Sequence, residues 1–232
     1  MGTVSNRRLA VVTGASSGIG FQLARECVER GFDVVICAED EGIIDAAARL
    51  DTEGAFVLAV RANLATYDGV QELVNAINAT GRPVDALLLN AGVGVGGEFV
   101  ETDLVAELRM IALSCLAVVV LAKRVLPSMK ARGEGRVLIT TSVVSTALAP
   151  FAAVYAATRA FDLSFAEALR VELADTGVTV TALQPGATDT DVFERACLED
   201  TRVGQSETDD PAEVAKEGIE AMLAGKRSVI AA

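Results

Sequence analysis

The segment Thr13-Gly14-Ala15-Ser16-Ser17-Gly18-Ile19-Gly20 constrains this chain more than any other. It follows the apolar run Leu9-Ala10-Val11-Val12 and opens into a helical pattern from Phe21 to Arg30. A strand, a glycine turn and a helix start in that order build a cradle for a dinucleotide pyrophosphate. The first glycine permits the tight turn. The others let backbone approach phosphate and helix pack on strand, and the helix N-terminus attracts the anion. The spacing is Gly-x-x-x-Gly-x-Gly rather than the commoner Gly-x-Gly-x-x-Gly.

The rest of the chain repeats the same alternation. Apolar runs at 8–13, 33–38, 55–61, 84–89, 136–141, 178–183 and 227–231 predict strands. Amphipathic stretches at 18–30, 41–50, 66–79, 103–131, 152–175 and 211–224 predict helices. Runs such as Ala86-Leu87-Leu88-Leu89 are apolar on both faces, as in a buried parallel sheet. The expectation is an α/β chain, doubly wound as a three-layer sandwich, forming one domain over residues 1–232. Segment 186–210 lacks periodicity, is rich in Thr, Asp, Glu and Gly, and is a candidate flap over a ligand.

Composition narrows the partners. A net charge of −12 repels nucleic acid and anionic lipid, so neither is expected as a main partner. Hydrophobic residues make up 51% of the chain, yet the run from Met110 to Ala122 has only 13 charge-free residues, too few to span a bilayer. It reads as a buried or interface helix. Strand-like sequence begins almost at once, which argues against a signal peptide. Cys27, Cys37, Cys115 and Cys197 lack metal or disulfide spacing, so no metal is expected and the cytoplasm is the expected compartment. The chain has no His, so proton transfer near neutral pH falls to Tyr, Lys, Cys or a carboxylate.

Further motifs sit where strands should end. Asn90-Ala91-Gly92 follows the fourth strand, and Pro185-Gly186 starts a Pro-Gly-x-x-x-Thr pattern ending at Thr190. Ser142 closes the fifth strand, thirteen residues before Tyr155 in Tyr155-Ala156-Ala157-Thr158-Arg159. With the glycine loop, these motifs resemble the short-chain dehydrogenase/reductase family, in order, from Leu9 to Ile230.

The resemblance implies a Rossmann-type domain with a seven-stranded parallel sheet. It also implies an NAD(P)-dependent oxidoreductase that interconverts an alcohol and a carbonyl. Tyr155 would exchange the substrate proton, Ser142 would orient the carbonyl, and the basic residue Arg159 would support Tyr155 and grip the nicotinamide ribose. Gly14, Ser16, Ser17, Gly18, Ile19 and Gly20 would surround the phosphates. Ala38, Glu39, Asn63 and Leu64 would meet the adenosine, with Asn90, Ala91 and Gly92 beside it. Pro185, Gly186, Thr188 and Thr190 would meet the carboxamide end. Helices 103–131 and 152–175 resemble those that pair subunits, so a homodimer or homotetramer is expected.

Three departures matter. The basic residue is Arg159, not Lys, and the helix position that carries Asn in the family aligns with Ser114. Free tyrosine titrates near about 10, and bringing a phenol close to 7 takes roughly 4 kcal/mol of cationic support. Arg159 keeps the charge but not the shape, and it cannot relay a proton. Thirdly, the second strand ends in Ala38-Glu39-Asp40, where two acids would repel a 2′-phosphate while Glu39 accepts from a ribose hydroxyl. NAD is therefore expected over NADP, with NADP left open. A dinucleotide-binding homologue with weak or no turnover stands as the alternative to an active enzyme. Val93 to Glu98, Val143 to Val154 and the flap would wall a pocket for an apolar alcohol or ketone.

Overall fold

Seven parallel strands form one sheet in the order β3-β2-β1-β4-β5-β6-β7. The computed structural model describes residues 7–51, 54–186, 188 and 209–231. In chain order the elements are β1 (Arg8–Thr13), α1 (Gly18–Glu29), β2 (Phe32–Ala38), α2 (Gly42–Leu50), β3 (Val57–Arg61) and α3 (Tyr67–Ala79). Then come β4 (Ala86–Leu89), α4 (Leu104–Ile111), a π turn (Ala112–Leu116), α5 (Ala117–Arg132), β5 (Gly135–Thr140) and a 3₁₀ turn (Val143–Thr146). The chain continues through α6 (Ala153–Glu172), β6 (Val178–Pro185), α7 (Pro211–Leu223) and β7 (Ser228–Ala231).

Alternation along each strand divides the core into two layers. Leu9 and Val11 of β1 face α3, α5 and α6, where Leu73, Leu121 and Ala166 meet them in one cluster. Ala10 and Val12 face α1, α2 and α7, where Leu23, Ile43 and Ile219 close the other. Both faces of the central strands are thus covered, which is why their sequences are continuously apolar. Strand order reverses between β1 and β4, which pair directly with Val12 opposite Leu88. Their carboxyl ends diverge there into a crevice, the place where doubly wound sheets hold ligands.

Two of the differences from the expected boundaries have clear local reasons. The sixth strand runs on to Pro185, because Pro185 pairs in register with Ala231 of the edge strand β7. The helix expected over 103–131 is continuous from Leu104 to Arg132 but passes through the π turn, a single widened turn that carries Ser114. At 29 residues this helix is long and apolar enough to cross a membrane, unlike the shorter charge-free run within it. Here Leu121, Val125 and Met129 cover the sheet while Leu104, Val105, Leu108 and Leu116 stay exposed.

Candidate active site

The crevice begins at the end of β1. Gly14 takes φ 68°, and a Cβ there would stand 2.8 Å from the Ala91 Cα. A Cβ at Gly20 would collide with the Gly14 carbonyl, so α1 can rest against the turn only as glycine. Ser17 caps α1 in extended backbone, but its hydroxyl makes no capping bond, and the first turn carries no acid. Among the described residues no side chain caps the leading N–H groups of α1, which leaves them available to an anion, and Ser16, Ser17, Gly18, Ile19 and Gly20 all line the crevice beside them. The donor set fits a pyrophosphate.

Asn90 braces the three central strands. Its side-chain amide donates to the carbonyls of Thr13 and Gly14 at 3.2 and 3.4 Å, and its Oδ1 accepts from Thr140 Oγ at 3.0 Å. Thr13 Oγ accepts from the backbone N–H of Asn90 and Ala91, both at 3.0 Å. The strand ends β1, β4 and β5 are thereby held in one frame. Ala91 and Gly92 line the crevice, and so do Ala38, Glu39 and Leu64 at one end and Pro185, Gly186 and Thr188 at the other. Thr190 and Cys197 lie outside the described residues, as does most of the 186–210 segment.

At the adenosine end the charges pair off. Glu39 forms an ion pair with Arg109 from α4, and its carbonyl accepts from Arg61 Nε at 3.1 Å. Asp40 accepts from the Ser16 hydroxyl at 2.8 Å. Both acids thus have partners that the sequence pattern does not reveal. Asn63 does not line the crevice: its Oδ1 accepts from the Ala65 N–H at 2.9 Å in the turn before α3.

At the other end Ser142, Tyr155 and Arg159 line the same crevice. Ser142 Oγ accepts from the Val144 N–H at 3.3 Å, which fixes it at the head of the 3₁₀ turn and leaves its own O–H free to donate. Tyr155 stands in the first turn of α6, and the Arg159 guanidinium lies 5.3 Å from its ring centre, one turn on. Arg159 is 6% exposed. Its Nη1 donates to the Thr140 carbonyl at 3.1 Å and to Asp162 Oδ2 at 3.3 Å. Its Nη2 lies so close to Gly92 that a Cβ there would collide with it. Burial opposes the charge of Arg159, but Tyr155 and Asp162 outweigh it and raise its pKa further.

Ser114 is fully buried on the π turn, its Oγ has no hydrogen-bond partner among the described residues, and it does not line the crevice. Sequence reasoning missed Asp162, although its i+3 spacing from Arg159 on a helix is a signal for an ion pair. It also missed Thr140 and Thr141, strand-end residues of an otherwise apolar run that line the crevice.

Among the described residues the expected apolar wall is formed only in part, with Val144 and Ala152 buried. Among the described residues Val93 lines the crevice, but Leu148 is 99% exposed and Phe151 is 54% exposed. Phe151 sits at φ 65°, a strained conformation for an aromatic residue, where its carbonyl accepts from the Gly97 N–H at 2.8 Å. That bond ties the loop after β4 to the loop before α6. The thiols of Cys27 and Cys37 are pushed up to about 12, chiefly by burial, and take no part in the crevice.

A short chain dehydrogenase family model matches residues 8–200. The chain is 34% identical over 191 residues to cis-4-hydroxycyclohexanecarboxylate dehydrogenase of Sinomonas cyclohexanicum, covering 82% of this chain and 77% of that one. It is 30% identical to oxidoreductase UcpA of Salmonella typhimurium over 93% of this chain and 80% of that one. Among solved structures it resembles a short-chain dehydrogenase from Sphingobium yanoikuyae in complex with NADPH. The TM-score is 0.88 at 31% identity, covering 96% of this chain and 87% of that one. A second is a single-substitution variant of actinorhodin polyketide ketoreductase with NADPH, at TM-score 0.87 and 28% identity over 99% and 97% of the two chains.

Proposed function

This chain belongs to the short-chain dehydrogenase family, and on that premise we propose that it is an NAD(P)-dependent oxidoreductase interconverting an alcohol and a carbonyl. The observation that carries this reading is convergence: Ser142, Tyr155 and Arg159 share one crevice with the glycine cradle. Similar structures hold NADPH, and the free N–H groups of α1 suit its pyrophosphate.

Each residue then has a distinct task. Ser142 donates its hydroxyl hydrogen to the substrate oxygen and holds it beside Tyr155. Tyr155 gives that oxygen a proton in reduction and takes it back in oxidation. Arg159 turns its Nη2 edge to the crevice, where it can donate to a ribose hydroxyl. A nicotinamide held in this crevice would supply or accept the hydride. Glu39 and Asp40 both line the crevice and support NAD over NADP, the repulsion of a 2′-phosphate being reduced by the Arg109 paired with Glu39.

The exposed Leu104, Val105 and Leu108 on α4, with Phe161 and Val171 on α6, support a homodimer or homotetramer. A small alcohol or ketone is the proposed substrate and the cytoplasm the proposed compartment. One observation favours the second reading, a dinucleotide binder with weak turnover: Arg159 is tied back into the protein by Thr140 and Asp162.

The test is NADH binding by its own fluorescence, followed by NADH oxidation across a panel of carbonyl compounds. Turnover that Tyr155→Phe abolishes supports the enzyme. Turnover that appears only in Arg159→Lys with Ser114→Asn supports the binder. A native chain that binds neither NADH nor NADPH sinks both.

A further inference from the structure

Asp162 is a buried acid with no part in the chemistry above. It lies one turn beyond Arg159 on α6, is 1% exposed, and acts electrostatically on Cys115 of the π turn. Its Oδ2 takes the Arg159 bond, and its Oδ1 has no partner among the described residues. Burying either ion costs free energy, and each offsets part of the other's cost. The geometry of the pair is one-sided. Asp162 and the Thr140 carbonyl both engage Nη1, from the protein side, while Nη2 faces Gly92 and the crevice.

We propose that Asp162 is a positioning residue that tethers Arg159 by one edge and cancels its charge, so that Arg159 offers the crevice fixed N–H donors rather than a net cation. This rests on the reading that Tyr155 and Arg159 work in the crevice. It changes what the Arg does there: the pair orients, and contributes little net field.

Burial pushes the Asp162 carboxyl up to about 7, with Arg159 pulling it back. Above neutral pH, where phenols titrate, Asp162 is ionised and the cancellation is in force. Among the described residues, Arg159 on its own helix is the charged group acting on Asp162. Cys115 on the π turn shares the same field, its thiol raised to about 11 by burial first and Asp162 next. The other elements packed on α6, namely α4, β5, β6 and the 3₁₀ turn, bring Thr140's carbonyl to the pair and no further charge acting on Asp162.

The chain has two Tyr and no Trp, so Tyr67→Phe leaves Tyr155 as the one phenol, and tyrosinate absorbance follows it directly. In that background Asp162→Asn uncovers the Arg159 charge, and the absorbance rise should move to lower pH by about one unit. Replacing both charges, by Arg159→Met with Asp162→Leu, should leave the rise within about 0.3 of its original pH, because an apolar pair replaces a neutral one. An unchanged or upward rise in Asp162→Asn overturns the proposal. So does an upward move of about one unit or more in the double variant, which would mean that Arg159 acts as a net cation. If Asp162→Asn does not fold, the double variant alone decides. The titration needs neither cofactor nor turnover, so loss of NADH binding would overturn the proposed function without touching this result.

Discussion

The two ends of the crevice are built differently. At the phosphate end Thr13 and Asn90 engage donors and acceptors across three strands, and glycine contacts leave the backbone no freedom. At the reacting end Ser114 Oγ, Arg159 Nε and Asp162 Oδ1 are buried without partners among the described residues. Satisfied polar networks are rigid and hard to alter, whereas an unsatisfied buried atom carries a cost that a compensating change can relieve. The contrast teaches that the anion cradle is a fixed part, while the groups around Tyr155 are a rearranged set in which Arg159, Ser114 and Asp162 must be understood together.

Tyr155→Phe separates the two ends most strongly. With the cradle independent of the reacting end, kcat/KM should fall about a thousandfold, near 4 kcal/mol, while NADH affinity stays put. Loss of both together would show that the ends are not separable.

Next comes the pH dependence of stability at the reacting end. An acid with a raised pKa holds its proton in the folded state between its unfolded value and the higher folded one. Stability from Asp162 is therefore greatest at low pH and declines as pH rises from about 4 to about 7. Relative to Asp162→Asn, the native chain should lose on the order of 3 kcal/mol across that range. Denaturant melts of both chains at several pH values measure it, and parallel curves would refute it.

At the rigid end, Gly20→Ala drives a Cβ into the Gly14 carbonyl. We expect NADH affinity to weaken by about 2 kcal/mol, roughly thirtyfold, through displacement of α1. Fluorescence titration reads it, and an unchanged Kd would show that the turn yields.

The smallest effect belongs to Glu39→Gln. It frees Arg109 and removes one repulsive charge, so the ratio of NADPH to NADH affinity should rise about threefold, below 1 kcal/mol, because the pair is solvent-screened. A fall in that ratio would remove Glu39 from cofactor choice.

Much of the cradle is legible in the chain because its logic is local. Gly14, Gly18 and Gly20 are demanded by turn and close approach within a few residues, and β1 and α1 flank them in sequence. Ser142 and Tyr155 are legible through spacing. Asn63 has a second role that the residue type does not announce: its Oδ1 accepts from Ala65 in an Asx turn, while its neighbours Ala62 and Leu64 line the crevice. Leu148 and Phe151 are exposed where a pocket wall is expected, because they belong to a loop tied by the bond between the strained Phe151 and Gly97.

By itself the sequence determines a doubly wound sheet, the position of its switch point and the identity of the groups that gather there, because period, glycine placement and strand polarity are read within short windows. Tertiary structure alone decides the electrostatics of that gathering. Glu39 meets Arg109 across 70 residues, and Arg159 meets Gly92 and Thr140 only once α6 lies against β5. Charge acts through space at low dielectric, so the field at Tyr155 depends on what burial brings near it rather than on what precedes it in the chain.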